Sequence, residues 1–83
     1  MTQIQEIGEP IKVLAAFSGG SVRPLRFQWA GRTYPVDAVN ARWVDRRGDG
    51  YCLHFSVQAG ADTYFVHFAS AEVQWWLDQV AVP

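Results

Sequence analysis

Two neighbouring runs in the second half of the chain place an apolar side chain at every second position. The first run carries Tyr51, Leu53, Phe55 and Val57, and the second carries Tyr64, Val66 and Phe68. A two-residue period is typical of a β-strand with one buried face. Because residues 58–62 separate the runs and suit a loop, the two predict an antiparallel hairpin whose apolar faces align.

The same period recurs upstream. Alternating apolar residues predict strands over 10–17, 25–29 and 32–36, and the Ala30-Gly31 dipeptide predicts a tight hairpin turn between the last two. Residues 37–45 favour a strand through Val39, Ala41 and Trp43, although a short helical turn also fits. Residues 70–80 are compatible with a helix capped by Ser70 or with a strand, and the meander of hairpins favours the strand.

The fold class follows from these segments and from the length of 83 residues, which holds one domain. We expect a mainly β protein: a small antiparallel barrel or bent sheet of five to six strands, SH3-like, with a short helix as the alternative for the last segment. Residues 1–9 show little periodicity and are expected to be an irregular lead-in, so the domain spans 10–83. The predicted core comprises Val13, Leu25, Phe27, Trp29, Tyr34, Val36, Leu53, Phe55, Val57, Tyr64, Val66, Phe68 and parts of Trp75, Trp76 and Leu77.

Several classes of protein are disfavoured by composition. The single cysteine, Cys52, cannot form a disulfide within the chain, as is usual in a reducing compartment. The amino terminus lacks the features of a signal peptide, and no stretch approaches the ~20 apolar residues of a membrane helix. We therefore expect a cytoplasmic protein without membrane contact.

Cys52, His54 and His67 fall on the non-core side of the predicted hairpin. One register places His54 opposite His67, and another places Cys52 there, close enough for a shared ion. The spacing matches no common zinc motif, and a Cys–His pair on a sheet has no evident oxyanion donor. We therefore expect no metal, no cofactor, no catalytic residue and no enzymatic activity.

Binding is the remaining functional class. Residues 23–47 carry six Arg and two Asp, whereas residues 48–83 contain no Lys or Arg, so charge is unevenly distributed although the net charge is −1. The favoured hypothesis is a protein-interaction or self-association module that uses an edge strand or surplus aromatic rings. The alternative is a β-barrel that binds single-stranded nucleic acid, against which the pI of about 6.0 argues. The candidate binding residues are Arg26, Arg32, Trp43, Arg46, Arg47, Trp75 and Trp76.

The strand motifs also resemble a bacterial domain family of unknown function. They read GEPIKV, PLRFQWAGRTYPV, a following Trp43, YCLHFSV, DTYFVHF and WWLDQV. The chain is similar to the small domain found alone and at the carboxyl end of the degenerate Y-family polymerase-like subunit of the bacterial mutasome. That resemblance implies a mostly β accessory domain, associated with DNA-damage tolerance and without assigned catalytic residues.

Overall fold

A computed structural model describes all 83 residues, Met1–Pro83, and contains seven strands and no helix. The strands are β1 (Gln3–Ser18), β2 (Ser21–Trp29), β3 (Arg32–Pro35), β4 (Ala38–Arg47), β5 (Gly50–Ala59), β6 (Asp62–Ala69) and β7 (Gln74–Val82). The prediction of a mainly β protein is confirmed, the predicted count of five to six strands is corrected to seven, and the alternative of a short helix in the last segment is wrong. No segment forms a helix that is long and apolar enough to cross a membrane.

All strands belong to one antiparallel sheet in the order β3-β2-β1-β7-β6-β5-β4, which curls into a half-barrel. Strand β1 joins the two halves, because its first part pairs with β7 from Gln3 to Ile11 and its second part pairs with β2 from Lys12 to Ser18. The ladder with β7 is irregular between Glu6 and Glu9, where Gly8 has a φ of +65°. This glycine lets the strand bend between the two halves.

The prediction that residues 1–9 are irregular is wrong, since β1 begins at Gln3. Almost every side chain before Ile11 is exposed, so the segment has no buried face and shows no two-residue period. It is held in the sheet by backbone pairing with β7. The domain accordingly extends nearly to the amino terminus.

The core lies on the concave face of the half-barrel. Its ten buried members are Ile11, Phe27, Phe55, Val57, Ala59, Tyr64, Val66, Trp75, Leu77 and Val80. Rings of Phe27, Tyr34 and Tyr64 lie 5.1–5.3 Å apart and pack β2 and β3 against β6, which is not their neighbour in the sheet. These contacts show how the sheet curls around its own apolar face.

One predicted core residue, Leu25, is 41% exposed. The β1–β2 register shifts between Leu14 and Ala15, so Arg26 pairs with Leu14 and Pro24 pairs with Ala15. This bulge leaves Leu25 without a partner on β1, and Pro24 is buried instead. The simple alternation through residues 25, 27 and 29 therefore fails at its first position.

The two ambiguous segments are both strands, as favoured. Residues 38–47 pair with β5, and residues 74–82 pair with both β1 and β6. Pairing on both sides makes β7 a central strand, and consecutive side chains consequently point to opposite faces. Trp75 lies in the concave core, while Trp76 lies on the outer, convex face beside His67.

Candidate functional site

The half-barrel is open along a seam between its two edge strands, β3 and β4. One end of the seam is closed by the β3–β4 connection, where the Val36 amide donates to Leu25 of β2 and the Asp37 amide donates to Gln58 of β5. Beyond this point the edge of β4 runs free towards the β1–β2 turn. The seam is therefore closed at one end and open at the other.

A groove of about 960 Å³ occupies the open part, between the β1–β2 turn and β4. We call it the seam groove, and it is lined by Phe17, Ser18, Gly19, Gly20, Ser21, Val22, Arg42, Trp43, Val44, Arg46, Asp49, Tyr51 and Leu53. Phe17 and Val44 are each about three-fifths exposed, at 60% and 63%. Exposed apolar side chains beside a free strand edge make this groove the leading candidate for a binding surface.

The two edges of the sheet differ strongly. Strand β3 has four residues and ends in Pro35, which has no amide hydrogen to offer. Strand β4 has ten residues; its ladder with β5 is irregular between Val39 and Ala41, but regular from residue 41 to residue 47. Seven successive residues of β4 thus present a regular edge with no partner strand.

Positive charge lines the groove side of β4. Arg42 and Arg46 both line the groove, on either side of Val44. The Arg42 guanidinium lies 5.9 Å from the centre of the Phe55 ring, a cation–π contact that orients it over the core. Including Arg47 and Asp45, strand β4 carries a net charge of +2.

The predicted binding residues do not form one surface. Trp43 and Arg46 line the seam groove, whereas Arg26, Arg32 and Arg47 each line a different cavity. Trp75 is only 7% exposed and packs against Phe55 and Phe68, so its prediction as a binding residue is corrected: it is part of the core.

Trp76 belongs to a second feature, a row of four stacked rings on the outer face. This outer-face ladder consists of Trp43, His54, His67 and Trp76, one from each of the strands β4, β5, β6 and β7. Successive ring centres lie 5.3, 5.1 and 6.5 Å apart, and both Trp–His pairs are nearly parallel. The ladder lies on the face of the sheet opposite to the core and crosses four of its seven strands.

The register of the β5–β6 hairpin pairs His54 with His67, one of the two predicted arrangements, and pairs Cys52 with Ala69. Cys52 is buried and is not opposite a histidine, so the Cys–His alternative is excluded. Asp78 of β7 lies beside this pair and contacts His67: its carboxylate oxygens lie 2.7 and 2.9 Å from Nδ1 of His67.

Electrostatics differ between the two ends of the His pair. The Nε2 atom of His54 is buried without a hydrogen-bond partner, and the nearest carboxylate oxygen, on Asp45, is 3.5 Å away. Burial lowers the pKa of His54, and the neighbouring His67 lowers that pKa further, against the opposing influence of Asp78 and Asp45. His54 is therefore neutral over a wider pH range than a free imidazole.

Sequence reasoning missed several residues of these two features. Phe17, Val44 and Tyr51 meet only because the β1–β2 turn lies across from β4, a tertiary contact without a local signal. Asp78 is two residues after Trp76, and alternate residues of a strand lie on the same face. If residues 70–80 form a strand, Asp78 therefore lies on the face opposite to Trp75 and Leu77. This alternation was the sequence pattern that could have indicated a third polar group beside the histidines.

A known protein family matches the chain that carries the seam groove and the outer-face ladder. No curated protein and no solved structure matches this chain. A family described as a domain of unknown function, DUF6504, matches residues 1–81, which is nearly the whole chain and includes every residue of both features. The chain therefore belongs to the DUF6504 family.

Proposed function

We propose that this protein is a non-catalytic interaction module that binds an extended acidic and apolar segment of a partner protein as an eighth strand on the edge of β4. The observation that carries the proposal is the coincidence of a regular, unpaired seven-residue edge with an apolar groove flanked by Arg42 and Arg46. Added strands gain affinity from main-chain hydrogen bonds and specificity from alternate side chains.

The geometry defines the expected ligand. Alternate side chains of an added strand would face the groove, where Phe17, Val44 and Tyr51 offer apolar contact. Residues at the flanks of the segment would lie beside the guanidinium groups of Arg42 and Arg46, which favour Asp or Glu. A segment that alternates apolar residues and carries acidic residues at its ends is thus the best fit.

Charge favours a different protein over a second copy of this chain. Two β4 edges paired antiparallel about Val44 would place Arg42 of each copy opposite Arg46 of the other. Directly opposed like charges destabilise a strand pair. The net +2 charge of β4 therefore opposes self-association at this edge and attracts an acidic partner.

The biological setting that we propose is bacterial DNA-damage tolerance in the cytoplasm. It is supported by the resemblance of the FQWAGRTY hairpin and the WWLDQV strand to the domain of the mutasome subunit. An accessory domain of that kind would recruit or hold a partner protein through a short segment. The seam groove is the surface suited to that role.

Single-stranded nucleic acid is a less suitable ligand. Arg26, Arg32 and Arg47 each line a separate cavity, and only Arg42 and Arg46 share one. A single-strand site needs a continuous basic track with stacking rings. The separated Arg side chains therefore favour a peptide ligand over single-stranded nucleic acid.

The experiment is a selection from a displayed library of ten-residue peptides, followed by synthesis of the best binder. We expect enriched peptides to alternate apolar residues and to contain Asp or Glu. Bound peptide should protect amides of residues 41–47 from hydrogen exchange, as measured by NMR. The variant Arg46→Glu should weaken binding by about tenfold, equivalent to ~1.4 kcal/mol, while Arg26→Glu is the matched charge control outside the groove.

Four results would contradict the proposal. The first is protection at strands other than β4, and the second is an equal effect of Arg46→Glu and Arg26→Glu. The third is binding of a labelled single-stranded oligonucleotide that Arg46→Glu weakens and salt releases, which would favour the nucleic-acid alternative. A selection that returns no peptide with the expected pattern would also refute it.

A further inference from the structure

A second site lies on the opposite face of the sheet, at the centre of the outer-face ladder. We infer that His54, His67 and Asp78 form a binding site for a divalent transition-metal ion such as Zn²⁺. The three residues come from the adjacent strands β5, β6 and β7, and one donor atom from each lies within 4.8 Å of the other two. This inference is independent of the peptide site proposed on β4.

The donor set has the chemistry that such ions require. Two imidazole nitrogens and one carboxylate are common ligands of zinc, and three protein ligands leave a position for water or an anion. Oxygen-seeking ions such as Mg²⁺ and Ca²⁺ prefer sites built from carboxylates and carbonyls, so the two histidines select against them. The expectation of no metal site, drawn from the sequence, considered Cys52 as the third ligand and did not include Asp78.

The distances require only a small adjustment. Donor atoms around a tetrahedral zinc ion with bonds of about 2.0–2.1 Å lie about 3.3 Å from one another. The contact of 2.7 Å between His67 and Asp78 would open slightly, and the widest separation would close by at most about 1.5 Å. Rotation of the imidazole and carboxylate groups supplies shifts of this size without moving the strands.

The surroundings hold the ligands in place. Trp43 stacks on His54 with an interplanar angle of 4°, and Trp76 stacks on His67 at 14°, so the two indoles flank the imidazole pair. The side chains of His54 and His67 are only 16% and 19% exposed. A shell of apolar rings fixes ligand orientation and limits solvent access, as is usual around metal ions in proteins.

A further observation points to a ligand. Nε2 of His54 is shielded from solvent and forms no hydrogen bond, a costly arrangement for an imidazole. The nearest carboxylate, on Asp45, is 3.5 Å from this nitrogen and forms no hydrogen bond with it. Coordination of an ion by Nε2 would give this buried nitrogen the partner that it lacks.

The test uses the full chain without an affinity tag, because histidine tags bind the same ions. Titration with Co²⁺ should produce visible absorption bands and with Zn²⁺ should shift the imidazole NMR signals of His54 and His67 at one ion per chain. The variants His54→Gln, His67→Gln and Asp78→Asn should each weaken binding at least about tenfold. Cys52→Ser is the matched control, since Cys52 lies on the same strand and face but outside the cluster.

Zn²⁺ should also raise the thermal midpoint of the wild-type protein and leave that of His67→Gln unchanged, because an ion that binds only the folded chain stabilises it. The inference is overturned if neither ion shifts the histidine signals of the wild-type protein at millimolar concentration. It is also overturned if the double variant His54→Gln/His67→Gln, folded by circular dichroism, binds Zn²⁺ as tightly as wild type. If Cys52→Ser loses Zn²⁺ binding while the His54, His67 and Asp78 variants keep it, the ion binds at a different site and the inference is wrong.

Discussion

Adjacent tryptophans on β7 should differ sharply in their contribution to stability. Trp75 is 7% exposed and its ring lies 5.7 Å from that of Phe55 and 5.3 Å from that of Phe68. Replacing a buried aromatic side chain by Ala removes its burial and leaves a cavity, at a cost of about 3–5 kcal/mol. A domain of this length has a total stability of roughly 4–12 kcal/mol, so Trp75→Ala should remove a large part of it.

Trp76→Ala should be much milder. The Trp76 side chain is half-buried on the outer face, where its indole N–H donates to Glu72 at 3.1 Å and its ring stacks on His67 at 6.5 Å. Losing one exposed hydrogen bond and one ring contact costs about 1 kcal/mol. The two variants should therefore differ by at least about 2 kcal/mol.

Urea denaturation followed by far-UV circular dichroism measures this difference directly. With a slope of about 1 kcal/mol per molar urea, the midpoint should fall by about 3 M or more for Trp75→Ala and by about 1 M for Trp76→Ala. The conservative variants Trp75→Phe and Trp76→Phe serve as controls that retain a ring. Equal losses at both positions, or a larger loss at Trp76, would refute the assignment of these side chains to opposite faces of a strand.

Two further perturbations test local features. Burial raises the pKa of Tyr64, and a charge on Tyr34 raises that pKa further, so the folded chain keeps the phenolic proton after the unfolded chain has lost it. This stabilisation is complete below about pH 10 and is lost as pH rises above that value. The variant Tyr64→Phe should therefore flatten the alkaline decline in urea midpoint. An unchanged decline would contradict the raised pKa of Tyr64. Val73 has a φ of +50° and is 77% exposed, so Val73→Gly should raise stability by about 1 kcal/mol in the same assay, whereas a loss would show that its side chain makes a needed contact.

The β5–β6 hairpin shows where sequence patterns suffice. Both strands bury one face against the core, so alternation marks the apolar positions and limits the possible registers. The observed register pairs Phe55 with Val66 and His54 with His67. Choosing between the two His arrangements required the structure, because both align the apolar faces equally well.

Prediction failed where backbone irregularity or exposure hid the pattern. The bulge near Leu14 sends Leu25 out of the core, and the first part of β1 is in the sheet although its side chains are exposed. A similar register shift between Phe65 and Val66 leaves Asp78 unpaired in the β6–β7 ladder, beside His67. Bulges insert one residue and carry no clear compositional mark, so alternation alone does not locate them.

The sequence predicted the kind of binding surface but not its position in the fold. An edge strand and surplus aromatic rings were expected, and both are present, but a sequence does not state which strand lies at the edge. Trp75 and Trp76 were grouped by adjacency, whereas strand geometry separates them onto opposite faces. The role of the seam groove in binding stays a prediction.

The length and composition of β3 explain why the seam between β3 and β4 remains open. Closure would require β3 and β4 to pair, yet β3 is four residues long, ends in Pro35 and is followed by amides already bonded to β2 and β5. Most of β4 would still lack a partner if the two edges met. A free edge invites aggregation, and charged side chains on the edge are a common protection against it. Arg42 and Arg46 meet that need against identical copies and leave the edge accessible to an acidic segment, so one pair of charges can serve both solubility and partner selection.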